Sequence, residues 1–539
     1  MSRINFFIVV FSLFSSSAFS QDTINFNIID QKTYGFANYG EWDSVIHYGK
    51  LGLANNIDYF YLRLRLGEAY YYKQNYATSI KHFEKALKSN SGDTNIQKFL
   101  YYSYLFSGKE NDARYLGAMM TDGTKKDVHF KKDISLKDVY FETGRAYSNN
   151  ITQNGNIKME GSENIGGNAD LTNNISYVHL GLDINIGKWL TIYPGVSYII
   201  DEKQRIFESN ASITETQLKA GGRSVTSDTQ TVVHPPKNGH PPFTSHDTIY
   251  NIQEILQSAD TNLNIKYNFR NKYNLKQAEF YLKCNVHVAT GLDIVPFFHL
   301  LSIRSTIYNV NANISNHSAN VFLYDSNIRH TQVPLPPSSA KDTIVYKDTS
   351  FQTAVDRYQS HSGLSEKDTS YYNYSLGLSI NKNWGRVSTI LFASYSNLNN
   401  KKQKEEGFTL IWYPEGNLNL YFSSTLTAFE QDTMKKIVFN QLAGIKINKY
   451  IWLEGFVTLG NFSDFTENNG FVVNNNPDLV KFRCGISPIF VFKRFDISLT
   501  YLFVAKQGNY VTDLPQNAYT TNPTKYINNV IIAGIKWKL

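Results

Sequence analysis

The chain has 539 residues, 42% hydrophobic and 14% aromatic, with a formal charge of +7, two cysteines and a mean hydropathy of -0.35. That is ample material for a core. Beyond the N-terminus, no stretch approaches the ~20 consecutive apolar residues of a spanning helix, which excludes a helical membrane protein. Lys and Arg are spread along the chain without a dense basic block, which argues against nucleic acid as a partner.

Arg3 is followed by an apolar stretch from Ile4 to Phe14 and then by Ala18-Phe19-Ser20. Charge, greasy segment and small-residue cut site make residues 1–20 a secretory signal peptide, with the mature chain starting near Gln21. No cysteine follows the cut, so a lipid-anchored N-terminus is not expected. Export permits disulfides. Yet Cys284 alternates onto one face with Phe280, Leu282, Val286 and Val288, and Cys484 onto another with Phe482, Ile486 and Phe490, so both read as small apolar residues.

From residue 21 to 120 the pattern is helical and repeats. In "LGEAYYYKQNYATSIKHFEKALKSN", small residues at Gly67, Ser79 and Ala86 let two helices approach, while Leu66, Tyr70 and Phe83 fill the space between them. A shift of 34 residues pairs Trp42 with Tyr76, Ile46 with Ile80, Gly52 with Ala86, Leu53 with Leu87, Leu66 with Leu100, Tyr70 with Tyr104 and Ser79 with Ala113. This segment resembles the tetratricopeptide repeat, in two to three copies; the other reading is a generic stack of helical hairpins. "TDGTKKDVHFKKD", residues 121–133, breaks the pattern and reads as a linker.

After it the period becomes two. Val178, Leu180, Leu182, Ile184 and Ile186 alternate with His179, Gly181, Asp183, Asn185 and Gly187. The device recurs at Tyr372 to Ile380, Phe408 to Trp412, Leu418 to Phe422 and Ile497 to Phe503. Tight turns at 187–189, 383–385, 414–417, 448–450 and 493–494 alternate with long polar loops such as 149–170, 462–477 and 507–524. Trp189, Trp384, Tyr413, Tyr450 and Trp452 sit beside the tight turns, where a membrane interface would lie. The apolar face Ile531, Ala533, Ile535, Trp537 and Leu539 runs to the final residue, as a barrel-closing strand would.

Residues 134–539 therefore resemble a bacterial outer-membrane β-barrel, lipid outside and a wet or packed lumen inside. Fifteen strand candidates start near residues 134, 172, 189, 260, 276, 292, 370, 385, 405, 417, 434, 450, 478, 495 and 525. An even count is required if both ends of the barrel lie on one side, so the expectation is about sixteen, with one missed strand between residues 205 and 369. Long outer loops are expected near 205–258 and 309–368. "HPPFTSHDTI" at 240 and "LPPSSAKDTI" at 335 suggest that the two are related, each a hairpin above the membrane or a fold over the mouth.

Chemical motifs are sparse. His234, His240 and His246 are evenly spaced, but prolines surround them and no helix or strand sets them as ligands, so no metal is assigned. No nucleophile-base pair and no phosphate-binding glycine loop stand out, so neither an enzyme nor a cofactor is expected. Asp183, Lys283, Arg483, Asp496, Lys536 and Lys538 fall on the non-lipid face.

The expected class is α+β by domain, a short helical repeat domain followed by an antiparallel transmembrane barrel. In architecture this resembles the export porins of exopolysaccharide systems. That resemblance implies an outer-membrane channel or export component, with periplasmic repeats that dock a protein or peptide and a lumen that passes a solute or polysaccharide. The alternative is a non-conducting anchor presenting the repeats inside and the loops outside.

Overall fold

A computed structural model describes residues 24–130, 134–159, 166–234, 243–310, 332–334, 343–345, 364–431, 434–467, 470–475, 478–514 and 518–539; the side chains of 209–267, 307–310, 332–334, 343–345, 364–366 and 474 lie outside that description. The expected signal peptide and His240 fall on residues not described, as do the side chains of His234 and His246.

Among the described residues, six helices pair into the hairpins of the N-terminal domain: α1 (Phe26–Asn38), α2 (Trp42–Ala54), α3 (Phe60–Tyr72), α4 (Tyr76–Ser89), α5 (Thr94–Phe106) and α6 (Glu110–Met119). Odd helices start at 26, 60 and 94 and even ones at 42, 76 and 110, so three helical hairpins repeat every 34 residues. The reversal inside each hairpin uses one left-handed residue, Gly40, Gln74 and Gly108. Asn25, Asn75 and Asp93 cap α1, α4 and α5 by accepting from the N–H of Ile28, Thr78 and Ile96. Between hairpins the core is apolar: Ile29, Leu62, Leu66, Phe83 and Ile96 are fully buried. A Cβ on Gly67 would lie 2.5 Å from the Phe83 ring, so glycine is what lets α3 and α4 meet. Ser79 Oγ donates to Gly67 O at 2.8 Å across that contact.

Residues 121–130 of the segment expected as a linker pack against the helices. Thr121 caps a short helix, α7 (Asp122–Asp127), and Val128 and Phe130 join the core of α4 to α6.

Fourteen strands then close an antiparallel barrel: β1 (Ile134–Ser148), β2 (Gly166–Ile186), β3 (Leu190–His234), β4 (Phe243–Ala289), β5 (Leu292–Val310), β6 (Leu364–Asn383), β7 (Val387–Ser396), β8 (Gln403–Trp412), β9 (Leu420–Gln431), β10 (Met434–Lys446), β11 (Ile451–Gly460), β12 (Leu479–Val491), β13 (Phe495–Asp513) and β14 (Tyr519–Lys538). Each strand pairs with its sequence neighbours, and β14 closes on β1 with Val139 opposite Trp537.

The expected sixteen becomes fourteen because the candidates at 260 and 276 are one strand, β4. Asn271, Lys272 and Asn274 look like a turn, yet they stay in register opposite Arg205, Gln204 and Glu202 of β3. Among the described residues, no further strand between 205 and 369 joins the barrel; Gln332–Pro334 and Thr343–Val345 pair only with each other. Parity is satisfied by merging two candidates, and both barrel ends still fall on one side.

The first long loop is also corrected. Residues 205–234 and 243–258 belong to β3 and β4, which pair through to His234 opposite Phe243. β2 leaves β3 at Ser209, and β5 meets β4 only from Lys276. Beyond Ser209 a two-stranded ribbon projects roughly 80 Å at ~3.3 Å per residue. Such a ribbon stands clear of the barrel wall, so its sequence need not follow the wall's alternation. The second expected loop lies largely outside the described residues; β5 and β6 pair up to Val310 opposite Leu364.

The barrel is inside-out relative to the helices. Val178, Leu180, Leu376, Leu378, Ile380, Leu499 and Ile531 are exposed, while His179, Asn373, Ser375, Ser379 and Thr458 are buried. Both cysteines are free on the apolar outer face. Trp189, Trp384 and Tyr450 ring the short-turn end on the outside. Tyr413 does not. Trp412 takes the outer position, so alternation turns Tyr413 inward to a cavity wall.

Candidate functional site: a lumen closed from both ends

Two elements occupy the lumen, one from each end. From the long-loop end, the connection between β11 and β12 folds inward as a short hairpin, Phe465–Glu467 paired with Val472–Asn474. Glu467 is held by Arg483 of β12 through two charge-assisted bonds of 2.9 and 2.6 Å. Thr466 N–H donates to Glu405 of β8 at 3.0 Å, and the Thr466 hydroxyl also contacts that carboxylate.

The tip reaches deep. His299 of β5, seven residues above the short-turn end of its strand, donates from Nδ1 to Gly470 O at 2.7 Å. Gly470 has φ +72° and packs on Phe297 so closely that a Cβ would lie 2.3 Å from the ring. The next residue, Phe471, sits edge-on to His179 at 4.9 Å and Tyr281 at 5.3 Å, with Tyr193 at 6.0 Å. His179 is itself fixed by Ser197 Oγ at 2.9 Å and the Tyr193 hydroxyl at 3.0 Å. A polar lumen wall thus meets an aromatic tip through matched rings and hydrogen bonds.

From the other end the helical domain caps the short turns. Ala77 N–H donates to Gly416 O at 2.8 Å, and Asn417 Nδ2 donates to Gln74 O at 2.9 Å. On α6, Asn111 Nδ2 donates to Asp293 at 2.8 Å, and Asp112 accepts from Gly291 N–H at 2.7 Å. Buried His287 lies between Asp293, at 2.8 Å from Nδ1, and Asp112, at 3.7 Å from Nε2. Arg114 Nη1 donates to Leu190 O at 2.6 Å and to Asn185 at 3.2 Å. Glu110 pairs with Lys137 of β1, and Tyr115 packs edge-on against Trp189.

Burial shapes the acids of this cap. It pushes the Asp112 carboxyl up, against the lowering pull of the Gly291 N–H. Burial also raises Glu110, but Lys137 outweighs it and leaves that carboxyl below its usual range. Lys109 is drawn below the usual ammonium range by burial.

Between cap and lumen lies a cavity of about 550 Å³. Its walls include Lys109 and Arg114 from the cap and Ser135, Lys283, Asn285 and Asn381 from the barrel. Lys283 and Tyr193 also line a smaller cavity that reaches Phe471, so the chamber continues toward the inserted tip.

All six polar residues expected on the non-lipid face are there. Asp183 and Lys283 line the chamber, Arg483 holds the inserted hairpin, Lys536 pairs with Asp138 at 3.1 Å, and Lys538 pairs with Asp496 at 2.6 Å. Sequence reasoning missed the inserted hairpin, taking 462–477 as an ordinary polar loop. Its signal was composition: Phe462, Phe465, Phe471, Val472 and Val473 are too apolar for a freely solvated loop. The docking of the cap had no local signal.

No protein-family model matches the chain, and no curated protein matches it by sequence. Among solved structures, the Pseudomonas putida toluene transporter TodX matches at 7% identity over 75% of this chain and 89% of its own, with a TM-score of 0.30. The translocator domain of the autotransporter NalP from Neisseria meningitidis matches at 6% identity over 81% and 99%, TM-score 0.25. A mutant porin of Rh. blastica matches at 10% identity over 75% and 100%, TM-score 0.22. Overlaps this low transfer no activity to the chain.

Proposed function

We propose that the chain is a gated outer-membrane channel or export component, not an enzyme, whose helical domain docks a periplasmic protein or peptide. The inserted hairpin between β11 and β12 is the observation that carries this reading. A barrel that served only as an anchor needs no lumen wall matched to a removable segment. Here Arg483, Glu405, His299 and the ring cluster around Phe471 hold a loop whose withdrawal would leave a polar passage. The apolar outer face and its aromatic ring support a membrane setting, with the short turns and the helices on the periplasmic side. The 34-residue period and the Gly67–Ser79–Phe83 contact support a tetratricopeptide identity for the helices, and with it a docking role. The cargo class fitting such a passage is a polar solute or a polysaccharide.

Planar-bilayer conductance of the refolded mature protein tests this. Replacing residues 463–476 by a short Gly-Ser turn is expected to turn rare, brief openings into steady conductance. Silence from both forms, each correctly inserted, would sink the channel. It would favour the second reading, a non-conducting platform, which the two-ended closure of the lumen also supports.

A further inference from the structure

We infer that the chamber between the helical cap and the barrel is a binding site for a hydroxylated anion, a solute or chain end carrying carboxylate or phosphate together with several hydroxyls. Charge is the first observation. Lys109 and Arg114 from the cap and Lys283 from β4 line one cavity, and among the described residues none of the three has a carboxylate within ion-pair distance. Arg114 donates to Leu190 O, Asn185 and Asn111, all neutral. Lys283 rests over the Tyr193 ring at 5.2 Å. The carboxylates on the same walls act on these cations only from beyond ion-pair distance and hold closer partners of their own. Glu110 binds Lys137, Asp183 lies 3.9 Å from that same lysine, Asp112 takes the Gly291 N–H, and Asp293 takes His287 and Asn111. Cations drawn from bulk water without a directly paired counter-charge are costly, and an anion in the chamber would lower that cost.

The second observation is independent of charge. On the barrel side of the same cavity, Ser135 Oγ, Asn285 Oδ1 and Asn381 Oδ1 are buried and lack a hydrogen-bond partner. Buried polar atoms are nearly always paired, so these three orphans, on β1, β4 and β6 around the cavity, mark where a ligand's hydroxyls would donate. Size agrees, since about 550 Å³ falls within the range of ~300–1,000 Å³ of small-molecule sites. Cap and barrel both contribute, so a bound anion would also tighten their docking.

Isothermal titration of the refolded, full-length mature protein in detergent at low salt tests the site at equilibrium, separately from conductance. The probes are trigalacturonate for a carboxylate source, glucose 6-phosphate for a phosphate source, and neutral maltotriose. At least one anion is expected to bind, and Lys283→Gln and Lys109→Gln should each weaken it about tenfold, the worth of one charge-assisted hydrogen bond. Exposed Lys88→Gln should leave binding unchanged. Heat-shifted gel migration reports that each variant is folded. The site is overturned if neither anion binds, if maltotriose binds as tightly, or if folded Lys283→Gln and Lys109→Gln bind like the parent.

Discussion

The helical domain and the barrel bury opposite chemistry within one chain. Around Phe83 the helices exclude water and bury Leu62, Leu66 and Ile96, with a glycine and two serines as the small contacts. The barrel turns Val178 and Leu180 outward beside buried His179, and Leu376 and Leu378 outward beside buried Ser375 and Ser379. The same apolar residue types serve both. What differs is the solvent each outer face is built for, and that solvent decides which face of the pattern is the inside.

Substitutions that swap those solvents should break the contrast. Phe83→Ala opens a cavity at a fully packed helical contact and is expected to cost ~3–5 kcal/mol, read as early loss of helical circular dichroism while the barrel keeps its heat-shifted gel migration. Simultaneous loss of both signals would show that cap and barrel form one cooperative unit. Leu378→Arg, on the exposed face of β6 between Tyr372 and Trp384, should cost ~2–4 kcal/mol in barrel stability. A neutral result in a bilayer unfolding titration would mean that this face does not meet lipid.

Protonation gives a sharper test confined to the cap. His82 is buried, stacks on Tyr70 and receives the Arg63 guanidinium at 3.1 Å. Burial first and Arg63 second depress its pKa from 6.5 to about 4. A depressed histidine binds fewer protons folded than unfolded. Its stabilisation is therefore fully present above pH 6.5 and is lost as pH falls toward 4, by up to about 3 kcal/mol. His82→Gln should flatten that part of the helical stability profile; an unchanged slope would assign the acid sensitivity to other groups. The smallest effect is expected at the seam. Asp112→Asn removes the charge facing His287 and should loosen the cap by ~1–2 kcal/mol, seen as faster proteolysis between residues 121 and 133 with the barrel intact.

Much of this contrast was legible from residues close in sequence. Gly67, Ser79 and Phe83 were read as a helix-helix contact and they form one. The alternation at Val178 to Ile186 and Tyr372 to Ile380 gave the correct outer face. Reading failed where local pattern and environment part company. Asn271 to Asn274 look like a turn but lie inside a strand, because past the last β4–β5 pair at Lys276 the strand is held by β3 alone and polarity no longer marks its end. Tyr413 was placed with the outer aromatics by proximity to a turn, when its position after Trp412 already put it inside. At 462–477 the polar flanks suggest a solvated loop, whereas Phe462 and Phe465 at the base and Phe471 at the tip mark a packed one.

By itself the sequence determined two periods, 34 residues for the hairpins and two for the strands, because both come from short-range geometry that side chains repeat within a few residues. Tertiary structure alone decided that the barrel closes at fourteen, that Phe471 reaches His179, and that Ala77 meets Gly416 and Asp112 meets Gly291. Those contacts join residues 179 or more positions apart, where no local period operates and only shape and the pairing of buried polar groups select the partner.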